Sequence, residues 1–254
     1  MTTFNLVVQS PALASDLIEQ AAALSEASGV QRISTTAARL LKVNDSADTR
    51  AELLAWGERH AVDTAYIAAG SRLADCKVLA MDMDSTLINI ECIDEIADFT
   101  GKKAAVSEIT EATMRGEIKD FKESLRRRVA LLEGVSADVL DSVYRERLRP
   151  NPGAAQLLSG ANASDLYTLL VSGGFTFFTQ KLQQELGFKQ TQANTLEIID
   201  GKLTGRVIGD IVDGAAKNAY LEQACHLMDC QKTNAITMGD GSNDLPMMHG
   251  SGIS

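Results

Sequence analysis

The sequence predicts an α/β protein: a parallel-sheet core that carries a block of helices after its first strand, with a smaller α+β unit ahead of it. Three observations lead there. "KVLAMDMD" (Lys77–Asp84) is a continuous apolar run ending in acids, which suits a parallel strand covered on both faces. From about Leu87 to Arg149 the apolar spacing is almost entirely helical. After that block, strand and helix patterns alternate again.

The elements follow in order. "FNLVVQS" reads as a short strand, and "ASDLIEQAAALSEASG" as a helix stopped at Gly29. "VQRISTTAARLLKV" is mixed and contains a strand, "SADTRAELLAWGERHAV" is an amphipathic helix, and "DTAYIAAG" is a strand. "GSRLAD" (Gly70–Asp75) is the expected linker. The helical block comprises "ECIDEIADFTG", "VSEITEATMRGE", "DFKESLRRRVALLEG" and "SADVLDSVYRERL". Then come a strand in "DLYTLLVSGG" and a helix in "TFFTQKLQQELG". "TLEIIDGKLTGRVIG" reads as a hairpin turning at Asp200-Gly201. "DGAAKNAYLEQACHLM" is a helix, and "TNAITMGDGSNDLPMM" is a strand, an acidic loop and the start of a helix.

Composition narrows the function. The formal net charge is −10, which disfavours a nucleic-acid surface, because that needs a positive stripe to meet phosphates. A small phosphorylated substrate in a local positive pocket remains compatible. The N-terminus has no basic region followed by a sustained apolar core, so no signal peptide is expected. No apolar run reaches the roughly 20 residues of a membrane span. Cys76, Cys92, Cys225 and Cys230 show neither metal-ligand nor disulfide spacing and read as free thiols of a reducing cytoplasm.

In an open parallel sheet, ligands bind at the carboxyl ends of the strands. Three predicted strands end in reactive loops: "DMDST", "VSGGF" and "GDGSNDLP". Asp82 and Asp84 lie two apart, so extended backbone would put both side chains on one side. Two such carboxylates in a dry site need a counter-charge, and Mg²⁺, which prefers oxygen ligands, supplies it. "DxD" alone is more often an acidic surface turn; behind a buried strand and before Ser-Thr it favours a site. The third loop adds Asp240, with Asn243 and Asp244 after it, and Gly239 and Gly241 allow a tight bend. Alone, that loop would pass for a helix N-cap. The second loop offers Ser172 and the Gly173 amide at a helix N-terminus, which favours anions, although a plain Gly-rich turn has the same look. Lys217, in the helix between the second and third loops, would by itself be a solvated lysine; with these loops it becomes the natural counter-charge.

In this order and spacing the loops resemble the haloacid dehalogenase superfamily of phosphotransferases. Within it, "DMDSTLINIECIDEIAD", "MRGEIKDFKESLRRRVALLEG", "VSGGF", "DGKLTG" and "GDGSNDLPMM" resemble the phosphoserine phosphatase family, from about Val78 onward. The earlier segment is similar, more weakly, to the ACT-like extension that some of these enzymes carry. The resemblance implies an ACT-like α+β domain over residues 1–72 and a phosphatase domain over 73–254. The latter would have a Rossmann-like core (73–87 and 150–254) and a helical cap of about 88–149.

The resemblance also implies roles. Asp82 would be the nucleophile that becomes an aspartyl phosphate, and Asp84 the general acid and base. Mg²⁺ would sit on the carboxylates of Asp82 and Asp240 and the backbone carbonyl of Asp84. Ser172, the Gly173 amide and Asn243 would hold the phosphoryl group, Lys217 would neutralise charge, and Asp244 would support metal and lysine. In the cap, Glu91 would take a substrate ammonium and Arg128 a substrate carboxylate, for which arginine offers a planar fork. "RRR" on a helix is otherwise a solvated face, and only one of the three can point squarely at the site. Met114 and Phe121 would line the apolar side, a position that core packing explains nearly as well.

The implied activity is Mg²⁺-dependent hydrolysis of O-phospho-L-serine, the last step of L-serine biosynthesis, by a cytoplasmic enzyme without nucleic-acid or membrane partners. Two alternatives stay open: a phosphatase or phosphotransferase for another small phosphomonoester, and an inactive chain that binds an amino acid as a regulatory module. The sequence stops at "HGSGIS", where the family pattern begins a further strand, so the C-terminal end of the core is expected to be truncated. That would expose a sheet edge, which a homodimer partner could cover.

Overall fold

A computed structural model describes residues 3–115 and 117–254. The chain divides into two compact units, Met1–Leu73 and Ala74–Ser254.

In the first unit the order is β1 (Phe4–Gln9), α1 (Ser15–Leu24), β2 (Gly29–Arg32), β3 (Ala37–Val43), α2 (Ala47–His60) and β4 (Asp63–Ala68). The strands form one antiparallel sheet ordered β2-β3-β1-β4. This is a split βαβ arrangement. Alternate residues Leu6 and Val8 of β1 and Ala38 and Leu40 of β3 face a core shared with Leu53 and Trp56 of α2. One expectation is corrected here and one extended. Gly29 does not stop α1; it opens β2. The helix ends earlier, with Glu26 in the left-handed region at φ 51° and the Ala27 N–H bonded back to the Ala22 carbonyl. The mixed segment after it holds two strands, because "ISTT" (33–36) turns the chain so that Arg32 pairs with Ala38.

The second unit continues with β5 (Val78–Met81), α3 (Cys92–Phe99), α4 (Lys103–Met114), α5 (Phe121–Ala130), α6 (Asp138–Glu146), α7 (Ala154–Ala163), β6 (Tyr167–Phe175), α8 (Thr176–Leu186), β7 (Gln190–Ile199), β8 (Lys202–Ile208), α9 (Gly214–Leu227), β9 (Ala235–Met238) and α10 (Leu245–Met248). Its sheet runs β8-β7-β6-β5-β9, parallel except for the β7–β8 hairpin. The hairpin turns at Asp200 (φ 50°) and Gly201 (φ 72°), the geometry that an Asp-Gly pair favours. This is a Rossmann-type α/β fold with a mixed, mostly parallel sheet.

The unbroken apolar run of β5 has a direct cause. Leu79 and Met81 join the core on one face of the sheet, with α3, α5, α7 and α8, while Val78 and Ala80 join the core on the other, with α9 and Met247. Each large side chain so buried contributes about 1.5–3 kcal/mol.

Helices α3 to α6 form the insertion between β5 and β6, and the chain leaves and rejoins the sheet at one seam. Ile88 bridges Pro150, the Asn89 N–H donates to the Arg149 carbonyl, and the Asn151 side chain donates to the Thr86 carbonyl at 2.8 Å. Near the end of the sequence, Ile253 pairs in parallel with Ile236. Among the described residues no helix is long and apolar enough to cross a membrane. Among the described residues no disulfide links the four cysteines.

Candidate active site

Parallel register sets the geometry. Met81 pairs with Leu170 of β6 and with Met238 of β9, so β5 and β9 finish at one level, beside Leu170 of β6, which runs on to Phe175. Just beyond lie Asp82, Ser172 and Asp240. The Asp82 N–H adds one more ladder bond, to the Met238 carbonyl at 3.0 Å.

Past Asp82 the backbone is not extended, contrary to the sequence expectation. Residues 83–88 coil into a tight turn: the Leu87 and Ile88 N–H groups both donate to the Met83 carbonyl, and Ser85 adopts φ 55°. The turn, rather than the two-residue period of a strand, brings Asp84 to the cavity that Asp82 also lines. It also presents Thr86, whose hydroxyl donates to Asp240 Oδ1 at 2.7 Å.

Lys217 is fully buried in the first turn of α9, not solvated. Its Nζ lies 2.8 Å from Asp82 Oδ2 and 2.6 Å from Asp244 Oδ1. A buried ammonium near a helix N-terminus is costly, and two carboxylates offset that cost. Asp244 accepts in turn from the Gly241 N–H at 3.0 Å, which closes the acidic loop on itself. Gly239 permits this approach, since a Cβ there would fall 2.3 Å from Asp244 Cγ. Asp82 Oδ1 accepts from the Met83 N–H at 2.6 Å.

Asp82, Asp240 and Asp244 each place a carboxylate oxygen within 4.8 Å of the others. An all-oxygen, all-anionic donor set fits a hard divalent cation. The sequence expectation differed in one member, taking the backbone carbonyl of Asp84 with Asp82 and Asp240. That carbonyl accepts from the Thr86 N–H at 2.7 Å and keeps a second lone pair.

In the C-terminal half of β6, Ser172 is buried, and its Oγ accepts from the Gly174 N–H at 2.8 Å, leaving the hydroxyl proton free to donate. Asn194 locks this loop by donating to the Gly173 carbonyl at 2.7 Å while accepting from the Val212 N–H at 2.9 Å. A side chain at Gly174 would force its neighbours to shift, because a Cβ would sit 2.7 Å from Met83 Cε and 2.8 Å from Asp84 Oδ2.

These groups open into a cavity of about 660 Å³, whose far wall comes from α3, α4 and α5. Glu91, Phe121, Arg128, Gly173 and Asn243 line it, so the structure brings them to the same space as Asp82 and Asp84. Of the three consecutive arginines, Arg126 and Arg127 are exposed and Arg128 is half-buried. The Met114 side chain lies outside the described residues.

Burial pushes the Asp84 carboxyl well above its usual range, and the Glu91 carboxylate adds to the shift. Burial also raises Asp82, against the opposing pull of Lys217. Glu91 is raised first by burial, against a 2.6 Å hydrogen bond from Ser85 Oγ. Burial lowers Arg128, and the carboxylates of Asp94 and Glu91 oppose it.

Sequence reasoning missed Ser85, Thr86 and Asp94. All three were inside the quoted motif but carried no role. Asp94 also lines the cavity, and its spacing of three from Glu91 at the start of a helix was a usable signal.

Paired aspartates, a buried lysine and an acidic cluster at the carboxyl ends of a Rossmann-type sheet define a hydrolase for an anionic substrate. The chain belongs to the haloacid dehalogenase-like hydrolases, whose family pattern matches residues 79–249. Residues 6–53 match a domain of unknown function, DUF4072. Among curated relatives, a phosphoserine phosphatase of Polaromonas sp. (strain JS666) is 57% identical over 187 residues, covering 72% of this chain and 79% of that protein. Among solved structures, a HAD family hydrolase from Salmonella enterica serovar Typhi superposes with TM-score 0.87 at 26% identity, covering 99% of this chain and 88% of the other. The unliganded form of a probable phosphoserine phosphatase from Vibrio cholerae gives TM-score 0.80 at 30% identity, covering 98% and 76%.

Proposed function

We propose that the protein hydrolyses O-phospho-L-serine to L-serine and phosphate, the closing step of L-serine biosynthesis. One observation carries the substrate assignment: Glu91 and Arg128 line the same cavity as Asp82 and Asp84. A carboxylate and a guanidinium at one end, with phosphoryl chemistry at the other, suit a phosphate ester of a small zwitterion. Curated relatives of high identity carry the phosphoserine phosphatase name.

In this reading Asp82 attacks phosphorus, forming a carboxylate O–P bond as the P–O bond to serine breaks. Asp84, whose carboxyl burial and Glu91 push toward the protonated form, donates its proton to the departing serine oxygen. It then takes a proton from water, whose oxygen attacks phosphorus and displaces Asp82, leaving phosphate and a reprotonated Asp84. Lys217 holds Asp82 in line and spreads positive charge toward the phosphoryl oxygens. Ser172, the Gly173 amide and Asn243 fix those oxygens. Mg²⁺, held by Asp82, Asp240 and the Asp84 carbonyl with Asp244 in support, would offset phosphoryl charge when bound.

Helices α3 to α6 serve as the cap, with Arg128 for the substrate carboxylate, Glu91 for its ammonium and Phe121 as apolar wall. The first unit is read as an ACT-like module on its split βαβ order. Phosphate release from O-phospho-L-serine, measured with Mg²⁺ and with EDTA, tests the activity. Mg²⁺-dependent release that Asp82→Asn abolishes is expected. Faster turnover of other small phosphomonoesters, or near-wild-type activity in Asp82→Asn, would overturn the assignment.

A further inference from the structure

Two side-chain polar atoms of the described residues are buried with no hydrogen-bond partner: Asp94 Oδ1 and Arg128 Nε. Buried polar groups are almost always paired, and leaving one unmade is costly. These two are complementary, one an acceptor only and the other a donor only. Both residues line the candidate active-site cavity. Of the acids around Arg128, Asp94 exerts the strongest pull on the guanidinium, ahead of Glu91 and Asp84. Their elements differ: Asp94 is in the first turn of α3, and Arg128 is in the last turn of α5.

Binding geometry explains the open pair. Arginine grips a carboxylate best with two parallel N–H donors in one plane. A guanidinium that turns one edge toward a substrate carboxylate needs its remaining donors fixed from behind, or the fork rotates. In enzymes without substrate such hydrogen bonds are commonly long and tighten only in the complex. We propose that Asp94 is a positioning residue for Arg128: its Oδ1 accepts the Nε hydrogen when the substrate carboxylate engages the other edge of the guanidinium, and so it sets selectivity for α-carboxylate substrates. This rests on the phosphoserine reading above. An acid in the first turn of α3 also meets the helix dipole favourably, and the test must separate the two roles.

The test compares O-phospho-L-serine with O-phosphoethanolamine, which keeps the phosphate ester and the ammonium and lacks the carboxylate. Steady-state kinetics are measured for the wild type, Asp94→Ala, Asp94→Asn, Arg128→Ala and the Asp94/Arg128 double alanine variant, with far-UV circular dichroism as the check on folding. Asp94→Ala should raise KM for phosphoserine roughly tenfold or more, the scale of one hydrogen bond to a charged group. kcat should change far less, and the phosphoethanolamine constants should barely move. Asp94→Asn keeps an acceptor oxygen and should recover part of the loss. In the Arg128→Ala background, Asp94→Ala should add nothing.

Equal losses on both substrates, or additive effects in the double variant, would overturn the positioning role. A wild type that prefers phosphoserine, together with an Asp94→Ala enzyme that keeps that preference, would also overturn it while leaving the substrate reading standing. A wild type that does not distinguish the two substrates would instead overturn the substrate reading, and the role of Asp94 with it. Should the alanine variant not fold, the asparagine variant decides: a rise in KM for phosphoserine that phosphoethanolamine does not share supports the positioning role, and wild-type constants or equal loss on both substrates refute it.

Discussion

Replacing Lys217 with methionine keeps the aliphatic stem and removes the charge. Its Nζ lies 2.8 Å from Asp82 and 2.6 Å from Asp244, with no solvent contact. Without it, two buried carboxylates remain, with oxygens no more than 4.8 Å apart. At an effective dielectric of 20, that spacing corresponds to a repulsion of about 3.5 kcal/mol. Removing one partner of a buried ion pair typically costs about 3–5 kcal/mol. The two routes agree, so Lys217→Met should lose roughly 3–4 kcal/mol of stability at pH 7 in EDTA, and all measurable turnover. Urea denaturation followed by far-UV circular dichroism is the suitable assay. The single tryptophan, Trp56, belongs to the first unit, so its fluorescence follows the wrong part of the chain. Added Mg²⁺ should restore part of the stability, since a cation bound to the folded state alone stabilises it. A loss below about 1 kcal/mol in EDTA would refute the view that the lysine holds these carboxylates together.

Gly174→Ala should lower kcat at least about tenfold with a small change in Tm, because the new methyl displaces the Asp84 carboxylate while the Met83 tip yields; kinetics and a thermal melt together check this. Arg128→Ala should harm phosphoserine turnover far more than that of p-nitrophenyl phosphate, and equal loss on both would make Arg128 structural. Asp213 caps α9 by accepting from the Ala216 N–H at 2.9 Å and pairs with Lys122 at 3.1 Å. Burial pushes its carboxyl up, but these two partners outweigh burial and hold it below the usual range. Asp213→Ala should therefore cost about 1 kcal/mol at pH 7. A depressed folded pKa contributes stability above the unfolded value, about 3.9, and loses it as pH falls through the folded one, so the cost should shrink below about pH 4. Urea midpoints at pH 7 and pH 3 would show whether it does.

What could be read from the sequence followed what is encoded locally. The apolar run of β5 foretold a strand buried on both faces because both faces of a parallel sheet are covered. Asp200-Gly201 foretold the hairpin because both residues must take positive φ. The end of α1 was hidden because Glu26, not a glycine, takes the left-handed position. The β2–β3 turn was hidden because "ISTT" lacks the Gly, Asn or Asp that usually marks one. At the site, the three loops were legible as motifs. The coil that turns Asp84 inward was not, because it depends on Met83 accepting two backbone bonds. The burial of Lys217 depends on Asp244, 27 residues away, and no local pattern contains that distance.

The register that aligns β5, β6 and β9 has a consequence in time. β5 is an interior strand, yet one of its neighbours is β9, near the end of the sequence, and the Thr86–Asp240 hydrogen bond spans 154 residues. Contacts this distant in sequence form late, because loop closure must come first. On the ribosome, at roughly 5–20 residues per second, Asp82 waits about 8–30 s for Asp240 to be made. During that interval a half-built sheet edge stands open beside Asp82. The chemistry is thus gated by synthesis itself: no fragment that ends before the last acidic loop can assemble the acidic cluster.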